Sequence, residues 1–169
     1  MGNSVLLRPF CLADAPSFYR NVVSDPSLRR FLEVSDAPTL AEAEQYIQNR
    51  IRYQERPRFY DYAIVLEESG EVIGEANAAY IREGLADIGY VIGAGMRKQG
   101  YGTQAVCLLL ERLRQENIHT AYAAVHTANS ASRRLLEHVG MKQTAEVPPG
   151  VKRVEEDAEL CWYVKHLSV

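Results

Sequence analysis

The chain has 169 residues, of which 47% are hydrophobic and 24% are charged, with a formal net charge of −3. This is ordinary globular composition, and the length predicts a single domain over residues 1–169 with a full core. The negative charge argues against general binding of nucleic acid, and the absence of a long apolar run argues against a membrane span.

Two further observations lead us to expect a cytoplasmic protein. The first residues lack the basic stretch and following apolar stretch of a secretory signal peptide. Cys11, Cys107 and Cys161 are too widely spaced to form a metal-binding or redox motif. We expect Cys107 and Cys161 to be buried free thiols, because one lies in an apolar helical pattern and the other in a predicted strand.

Strand and helix signals alternate along the chain, and hairpin signals are the most frequent. Thr39 and Glu42 form a capping box, which indicates the start of a helix. Apolar runs on both sides of the turn at residues 67–70 are typical of a β-hairpin. The predicted elements are, in chain order, a strand at 5–8, helices from about 12 and from 40, strands at 62–66, 72–80 and 87–92, a helix from 103, a strand at 120–126, a helix after 129 and a strand at 157–164. We therefore expect an α/β domain with a mixed, mostly antiparallel sheet flanked by helices.

The most informative segment is a glycine-bearing loop between a predicted strand and a predicted helix. It reads Arg97-Lys98-Gln99-Gly100-Tyr101-Gly102 and leads into an apolar helical pattern. The first N–H groups of a helix lack internal partners and favour an anion, and glycine lets the backbone approach a phosphate. Arg97 and Lys98 add mobile positive charge. The segment predicts a site for a pyrophosphate-bearing cofactor, with a plain turn between strand and helix as the alternative.

A second segment, residues 129–141, has the pattern of a capped amphipathic helix. Asn129 is a good N-cap residue, and Leu135, Leu136 and Val139 form an apolar face. Gly140 is a helix stop signal. Taken alone, this segment predicts a helix and no ligand.

The two segments, in this order, resemble the GNAT superfamily of N-acetyltransferases. R-x-x-G-x-G at 97–102 is similar to the acetyl-coenzyme A signature of that family, and it is neither a dinucleotide fingerprint nor a P-loop. Residues 129–141 are similar to the later N-x-x-S…E-x-x-G-F motif, with Met141 in place of Phe. The opening Leu6-Leu7-Arg8-Pro9 and the predicted hairpin look like the Rim-type branch, which acetylates ribosomal-protein N-termini. The resemblance implies a sheet in which two neighbouring strands splay apart, with the pantetheine arm of acetyl-CoA between them.

The resemblance also implies roles for individual residues. A backbone N–H of Val91 or Ile92 is expected to stabilise the oxyanion. Ser132, three residues after Asn129, is expected to protonate the departing thiolate; the alternative is a helix-start serine that satisfies backbone donors. The expected cofactor-binding residues are Tyr90, Val91, Ile92, Arg97, Lys98, Gln99, Gly100, Tyr101, Gly102, Thr103 and Asn129. No metal is expected.

The general base stays open at this point. Glu75, Asp87, Glu155 and Glu156 are acidic candidates, but exposed or structural carboxylates are the more common case. Histidine is a residue type suited to base catalysis, yet His126 lies at the end of a predicted strand. Water can also remove the proton from the amine.

The sequence thus predicts an N-acetyltransferase that moves an acetyl group from acetyl-CoA to a primary amine by direct attack in a ternary complex. A non-catalytic acetyl-CoA-binding domain that acts as a sensor or scaffold is the alternative. An α/β domain without a cofactor is a third hypothesis. The acceptor is left open between a protein N-terminal amine, a polyamine, an aminoglycoside and an amino-acid toxin, and a homodimer is also left open.

Overall fold

The computed structural model of the chain describes residues 3–32, 34–56, 59–150 and 159–168. Its strands are β1 (Val5–Arg8), β2 (Phe59–Leu66), β3 (Val72–Arg82), β4 (Leu85–Ile92), β5 (Thr120–His126), β6 (Lys142–Thr144) and β7 (Leu160–His166). Its α-helices are α1 (Ala15–Phe18), α2 (Arg29–Leu32), α3 (Leu40–Gln54), α4 (Tyr101–Gln115) and α5 (Ser130–His138). Short 3₁₀ turns at Leu12–Asp14 and Ala94–Met96 and a π-helical turn at Tyr19–Val23 complete the helical segments. No helix of the described residues is both long and apolar enough to cross a bilayer.

The strands of the described residues form one sheet in the order β1-β2-β3-β4-β5-β7-β6. All neighbouring strands run antiparallel except β4 and β5, which run parallel. Short turns connect the strands from β2 to β4, whereas α4 connects the parallel pair, as a parallel connection requires. The predicted mixed, mostly antiparallel sheet flanked by helices is confirmed.

The parallel pair opens after only three residue pairs. Leu85, Ala86 and Asp87 of β4 pair with residues 120–122 of β5. Beyond that point β4 pairs only with β3 as far as Ile92, and β5 pairs only with β7. The edges of the two strands therefore part and leave a gap inside the sheet, which confirms the predicted splay.

Apolar side chains cover both faces of the sheet. The face toward α4 and α5 holds one core, which includes the fully buried Leu109, Leu113 and Leu136. The face toward α1 and α3 holds another core, which includes Phe18 and Ile47. Full burial of each such side chain stabilises the fold by about 1.5–3 kcal/mol. Because alternate strand residues point to opposite faces, the two faces of β4 present different side chains.

Local sequence signals account for several element boundaries. β1 and β5 have the predicted bounds. The capping box is present: Thr39 Oγ1 accepts from the Glu42 N–H at 3.3 Å, and the Glu42 carboxylate accepts from the Thr39 N–H at 2.8 Å. Strands β2 and β3 extend beyond the predicted 62–66 and 72–80, and β6 was not predicted. Of the predicted last strand, residues 157 and 158 lie outside the described residues, and β7 runs on to His166.

The prediction of a buried Cys107 is wrong. Val106, Leu109, Leu110 and Leu113 line the buried face of α4, as their spacing predicts. Cys107 follows directly after Val106 and therefore points outward, where its thiol is exposed and free. Cys161 is buried, as predicted.

Candidate cofactor and catalytic site

The glycine loop leaves the start of α4 without a side-chain cap. Gly100 is the residue before the helix and has φ 82°, in the left-handed region that glycine adopts at little cost. Because glycine has no side chain to cap the helix, the first N–H groups of α4 are left for an external acceptor. These are the N–H groups of the predicted contacts Tyr101, Gly102 and Thr103, and together with the helix dipole they favour an anion.

Gly102 lies where the cofactor loop, β4 and α5 meet. A β-carbon at this position would lie 2.9 Å from Leu135 Cδ1 and 3.7–3.8 Å from the side chains of Ile92 and Tyr90. The absence of a side chain therefore lets the first turn of α4 sit close to the opening strand. Tyr101, in contrast, has a side chain that is only 5% exposed and belongs to the core, so only its backbone is available to a ligand.

The charge on Arg97 is not mobile, and the prediction is wrong on this point. Its Nε donates to the carbonyl of Ile92 at 2.9 Å. Its Nη2 donates to Asp25 Oδ2 at 2.9 Å and to Ser27 Oγ at 3.0 Å. Arg97 therefore ties the loop to the end of β4. Lys98 is exposed, and Gln99 Nε2 donates back to the Gly95 carbonyl at 3.3 Å.

Asp25 is the partner that fixes this arrangement, and the sequence analysis did not predict it as a site residue. Its side chain is 7% exposed and accepts hydrogen bonds from the Ser27 N–H, Ser27 Oγ, the Ala94 N–H and Arg97. Burial opposes ionisation, but the bonds from Ser27 and Ala94 and the charge of Arg97 outweigh it and lower the pKa of Asp25. The D-x-S spacing is the one local signal that could have pointed to this carboxylate, because it is typical of an Asx turn.

A pair of hydroxyl groups joins β4 to α5 across the gap. Tyr90 Oη and Ser132 Oγ lie 2.8 Å apart, and either can donate. Burial raises the pKa of Tyr90, so its hydroxyl stays protonated at neutral pH, although the bond to Ser132 partly opposes the shift. The exposed Asn129 caps α5, with its Oδ1 accepting from the Ser132 N–H at 3.1 Å. Three predicted site residues, Tyr90, Asn129 and Ser132, are thus brought together.

Glu75 is poorly placed to act as a base. Its side chain is 2% exposed and accepts from Tyr46 Oη at 2.6 Å. The Arg50 guanidinium lies 3.3 Å away and is itself bonded to Tyr46. Burial raises the pKa of Glu75, while Arg50 and Tyr46 oppose that shift. This network anchors α3 to β3, so a structural role accounts for Glu75.

Asp87 has a different environment at the point where β4 and β5 part. One of its carboxylate oxygens is buried and has no hydrogen-bond partner among the described residues. Burial raises the pKa of Asp87 to about 6, although a backbone hydrogen bond from Ile88 opposes the shift. A carboxyl group that titrates near neutral pH is suited to proton transfer.

Of the three remaining base candidates, only His126 lies among the described residues. His126 Nε2 lies 2.6 Å from a carboxylate oxygen of the largely exposed Glu159. Glu155 and Glu156 lie outside the described residues. In the described ranges, no cluster of His, Cys, Asp and Glu side chains could hold a metal ion.

A glycine loop at a helix start, set beside a splayed sheet, is the arrangement of acyltransferases that use coenzyme A thioesters. Over residues 4–142 the chain matches the acetyltransferase (GNAT) domain family. The chain belongs to this family, and the predicted family is confirmed. Membership favours a catalytic protein over a sensor or scaffold.

Individual relatives agree with this membership. The chain is 25% identical over 114 residues to an L-methionine sulfoximine/L-methionine sulfone acetyltransferase of Pseudomonas aeruginosa, a match that covers 64% of the chain and 63% of the relative. The chain thus spans less than two thirds of that relative. Among solved structures, a GNAT-family acetyltransferase from Bacillus anthracis superposes with a TM-score of 0.77 at 16% identity, covering 98% of this chain and 96% of the other. RimL, a ribosomal L7/L12 α-N-protein acetyltransferase in complex with coenzyme A, superposes with a TM-score of 0.75 at 18% identity. The match covers 97% of this chain and 94% of RimL.

We expect Asp25→Asn to weaken binding of coenzyme A, because Arg97 loses its ion-pair partner and the loop loses its attachment. Loss of hydrogen bonds to a charged group also destabilises the fold by about 1–3 kcal/mol. Thermal unfolding with and without coenzyme A measures both effects. Asp36→Asn, at an exposed position, is the control and should behave like the wild type. A full coenzyme A response in Asp25→Asn would show that the loop does not need this carboxylate.

Proposed function

We propose that this protein is an acetyl-CoA-dependent N-acetyltransferase that acetylates a primary amine by direct attack. The observation that carries the proposal is the gap between β4 and β5, because it opens beside an uncapped helix start. On one face of the sheet, the hydroxyl groups of Tyr90 and Ser132 form a hydrogen bond across the same gap. An anion site, a gap and a pair of hydroxyl groups are the three features that the pyrophosphate, pantetheine and thioester of acetyl-CoA require.

The cofactor roles assigned by sequence fit these three features. The N–H groups of residues 100–103 hold the pyrophosphate, and Lys98 supplies charge at the surface. Arg97 contributes indirectly, because its hydrogen bonds hold the loop against the end of β4. The pantetheine arm lies in the gap, where the free backbone edges of the parted strands offer it hydrogen bonds. Asn129 holds the start of α5 beside the arm.

The chemistry requires an oxyanion donor and a proton for the leaving thiolate. As the amine nitrogen bonds to the carbonyl carbon, negative charge develops on the carbonyl oxygen, and a backbone N–H of Val91 or Ile92 stabilises it. Collapse breaks the C–S bond, and Ser132 gives its proton to the sulfur. Tyr90 donates to Ser132 and restores that proton. The amine nitrogen loses one proton to solvent as the amide forms, and solvent returns one to Tyr90, so the protons balance. No covalent enzyme intermediate is needed, because holding both reactants in line supplies much of the rate enhancement.

The acceptor we propose is a primary amine, either the α-amine of a protein or that of a small molecule. The relatives support this range, since one is named for methionine sulfoximine and methionine sulfone and another for a ribosomal protein α-amine. Release of free thiol from acetyl-CoA tests the activity. L-methionine sulfone and short peptides with a free N-terminus are the first acceptors to try, and N-acetylated peptides are the control. A protein that is stabilised by acetyl-CoA but releases no thiol with any amine would instead be a sensor or scaffold.

Gly102→Val should abolish binding of coenzyme A while the protein stays folded. The added side chain meets the flexible end of Leu135, which can turn aside, but it fills the space beside the gap. Gly95→Val is the matched control, because a β-carbon at residue 95 meets no atom within 4 Å and residue 95 has no positive φ. The measurement is the shift of the unfolding temperature by coenzyme A. An unchanged shift in Gly102→Val would contradict the assignment of the loop.

Ser132→Ala should lower kcat with little change in the affinity for acetyl-CoA. A general acid contributes about 10²–10⁴-fold in rate, and we expect the low end because a thiolate is a good leaving group. Tyr90→Phe should give a smaller decrease, since Ser132 keeps its own hydroxyl. Steady-state kinetics with an accepted amine separate kcat from KM. A wild-type kcat in Ser132→Ala, with chemistry shown to be rate-limiting, would leave Ser132 with its helix-start role alone.

A further inference from the structure

Arg29, the first residue of α2, carries a guanidinium group that the proposed function leaves unused. The residue is half-buried, and its Nε lies inside the protein without a hydrogen-bond partner. No ion pair or hydrogen bond with the described residues involves the rest of this guanidinium group. A buried donor without an acceptor is costly, and such groups are uncommon unless a ligand or water completes them.

Other half-buried arginines of this protein have carboxylate partners. Arg8 lies 2.6 Å from Asp14, and Arg50 lies 3.3 Å from Glu75. The fold thus supplies a counter-charge where an arginine has a structural role. Arg29 has no such counter-charge within the described part of the chain, which is typical of an arginine that binds an anionic ligand.

Arg29 follows a segment that is fixed against the end of β4, on the α1–α3 side of the sheet. Two residues before it, Ser27 accepts a hydrogen bond from Arg97 of the cofactor loop at 3.0 Å. The preceding Leu28 is buried in the α1–α3 core, and Val91 of β4 packs against the same core. The free guanidinium group therefore lies near the strand that borders the gap.

The cofactor does not supply an anion on this side of the sheet. The proposed function places the pyrophosphate at the start of α4, which packs on the opposite face, with Lys98 at the surface. The pantetheine arm and the thioester in the gap carry no negative charge. Asp25 already balances the charge of Arg97 at 2.9 Å, so Arg29 is left uncompensated. The acceptor is the remaining reactant that can bring an anion to Arg29.

We propose that Arg29 binds a carboxylate group of the acceptor, which makes an amino acid with a free carboxylate the substrate class. This rests on the proposed function. The planar fork of a guanidinium group donates two parallel hydrogen bonds to a carboxylate, and partial burial strengthens the attraction because less water screens it. The same charge repels polyamines and aminoglycosides. In a peptide an uncharged amide replaces the α-carboxylate, so a peptide N-terminus loses this contact.

Matched acids and amides test the substrate class. Release of thiol from acetyl-CoA is measured with a mixture of the common amino acids and L-methionine sulfone, and with a mixture of their primary amides. Rates are compared at equal concentrations of neutral amine, because the carboxylate makes the amine more basic. At limiting concentration we expect the acids to react about tenfold faster or more, the effect of a hydrogen bond to a charged group. Equal rates, or a faster reaction of the amides, would overturn the proposal.

Variants of Arg29 test whether this residue causes the preference. Arg29→Gln removes the charge and should lower kcat/KM for the best acid about 10–100-fold, while the value for its amide stays unchanged. Arg29→Lys keeps the charge without the fork and should recover part of the loss. Arg52→Gln, at an exposed position of α3, is the control and should keep the wild-type ratio of acid to amide. A wild-type ratio in Arg29→Gln would show that another group binds the carboxylate.

Unfolding temperatures separate binding of the acceptor from a structural role. Without ligand, Arg29→Met should unfold at the wild-type temperature or above it, because it removes a buried donor that has no acceptor and keeps an apolar stem. A lower temperature would indicate a structural role and contradict the proposal. Coenzyme A should raise the unfolding temperature of Arg29→Gln as it does for the wild type. A smaller response would assign Arg29 to a phosphate of the cofactor instead of the acceptor.

Binding without turnover separates this inference from the proposed function. The two mixtures are titrated into the protein saturated with coenzyme A, and the Nε–H resonance of Arg29 is followed by NMR. A shift with the acids but not with the amides supports the carboxylate site even if no acceptor releases thiol. If thiol is released but the acids cause no shift, the carboxylate site is wrong while the transferase stands. If the acids cause no shift and no amine releases thiol, both proposals are overturned.

Discussion

The parting of β4 from β5 after three residue pairs is the constraint on which the rest of the site depends. A continuous ladder would satisfy the backbone groups of both strands and leave no room for a ligand. Each strand instead keeps its partner on the other side, β3 or β7, so the sheet stays intact while two inner edges are exposed to the gap. The cost of unpaired backbone groups is thereby confined to a few residues, and a ligand with amide groups of its own can offset it.

The two faces of β4 carry different polar side chains. Tyr90 and Ser132 lie on the side of α4 and α5, near the cofactor loop. Asp87 and Asn77 lie on the side of α3. This division follows from the alternation of side chains along a strand, because consecutive residues must face opposite ways. The two faces of one strand therefore offer different polar groups to the gap.

Local signals in the sequence predicted the elements well, and they predicted the cofactor loop. The Thr39–Glu42 capping box, the apolar face of α4 and the cap at Asn129 each depend on residues within one or two helical turns. The contacts that shape the site join distant residues: Tyr90 meets Ser132 across 42 positions, and Asp25 meets Arg97 across 72. No periodicity encodes such pairs. The exposure of Cys107 was mispredicted for a related reason. When almost every residue in a run is apolar, the sequence does not show which side chain points outward.

Asp25 joins two parts of the molecule that lie on different sides of the sheet. The residues after it enter the α1–α3 core through the buried Leu28, while its carboxylate holds Ala94 and Arg97 of the cofactor loop. Asp25 therefore ties the position of the cofactor loop to the packing of the α1–α3 core. The start of α4 is thus held in place both by its own packing and by a carboxylate anchored in the other core of the molecule.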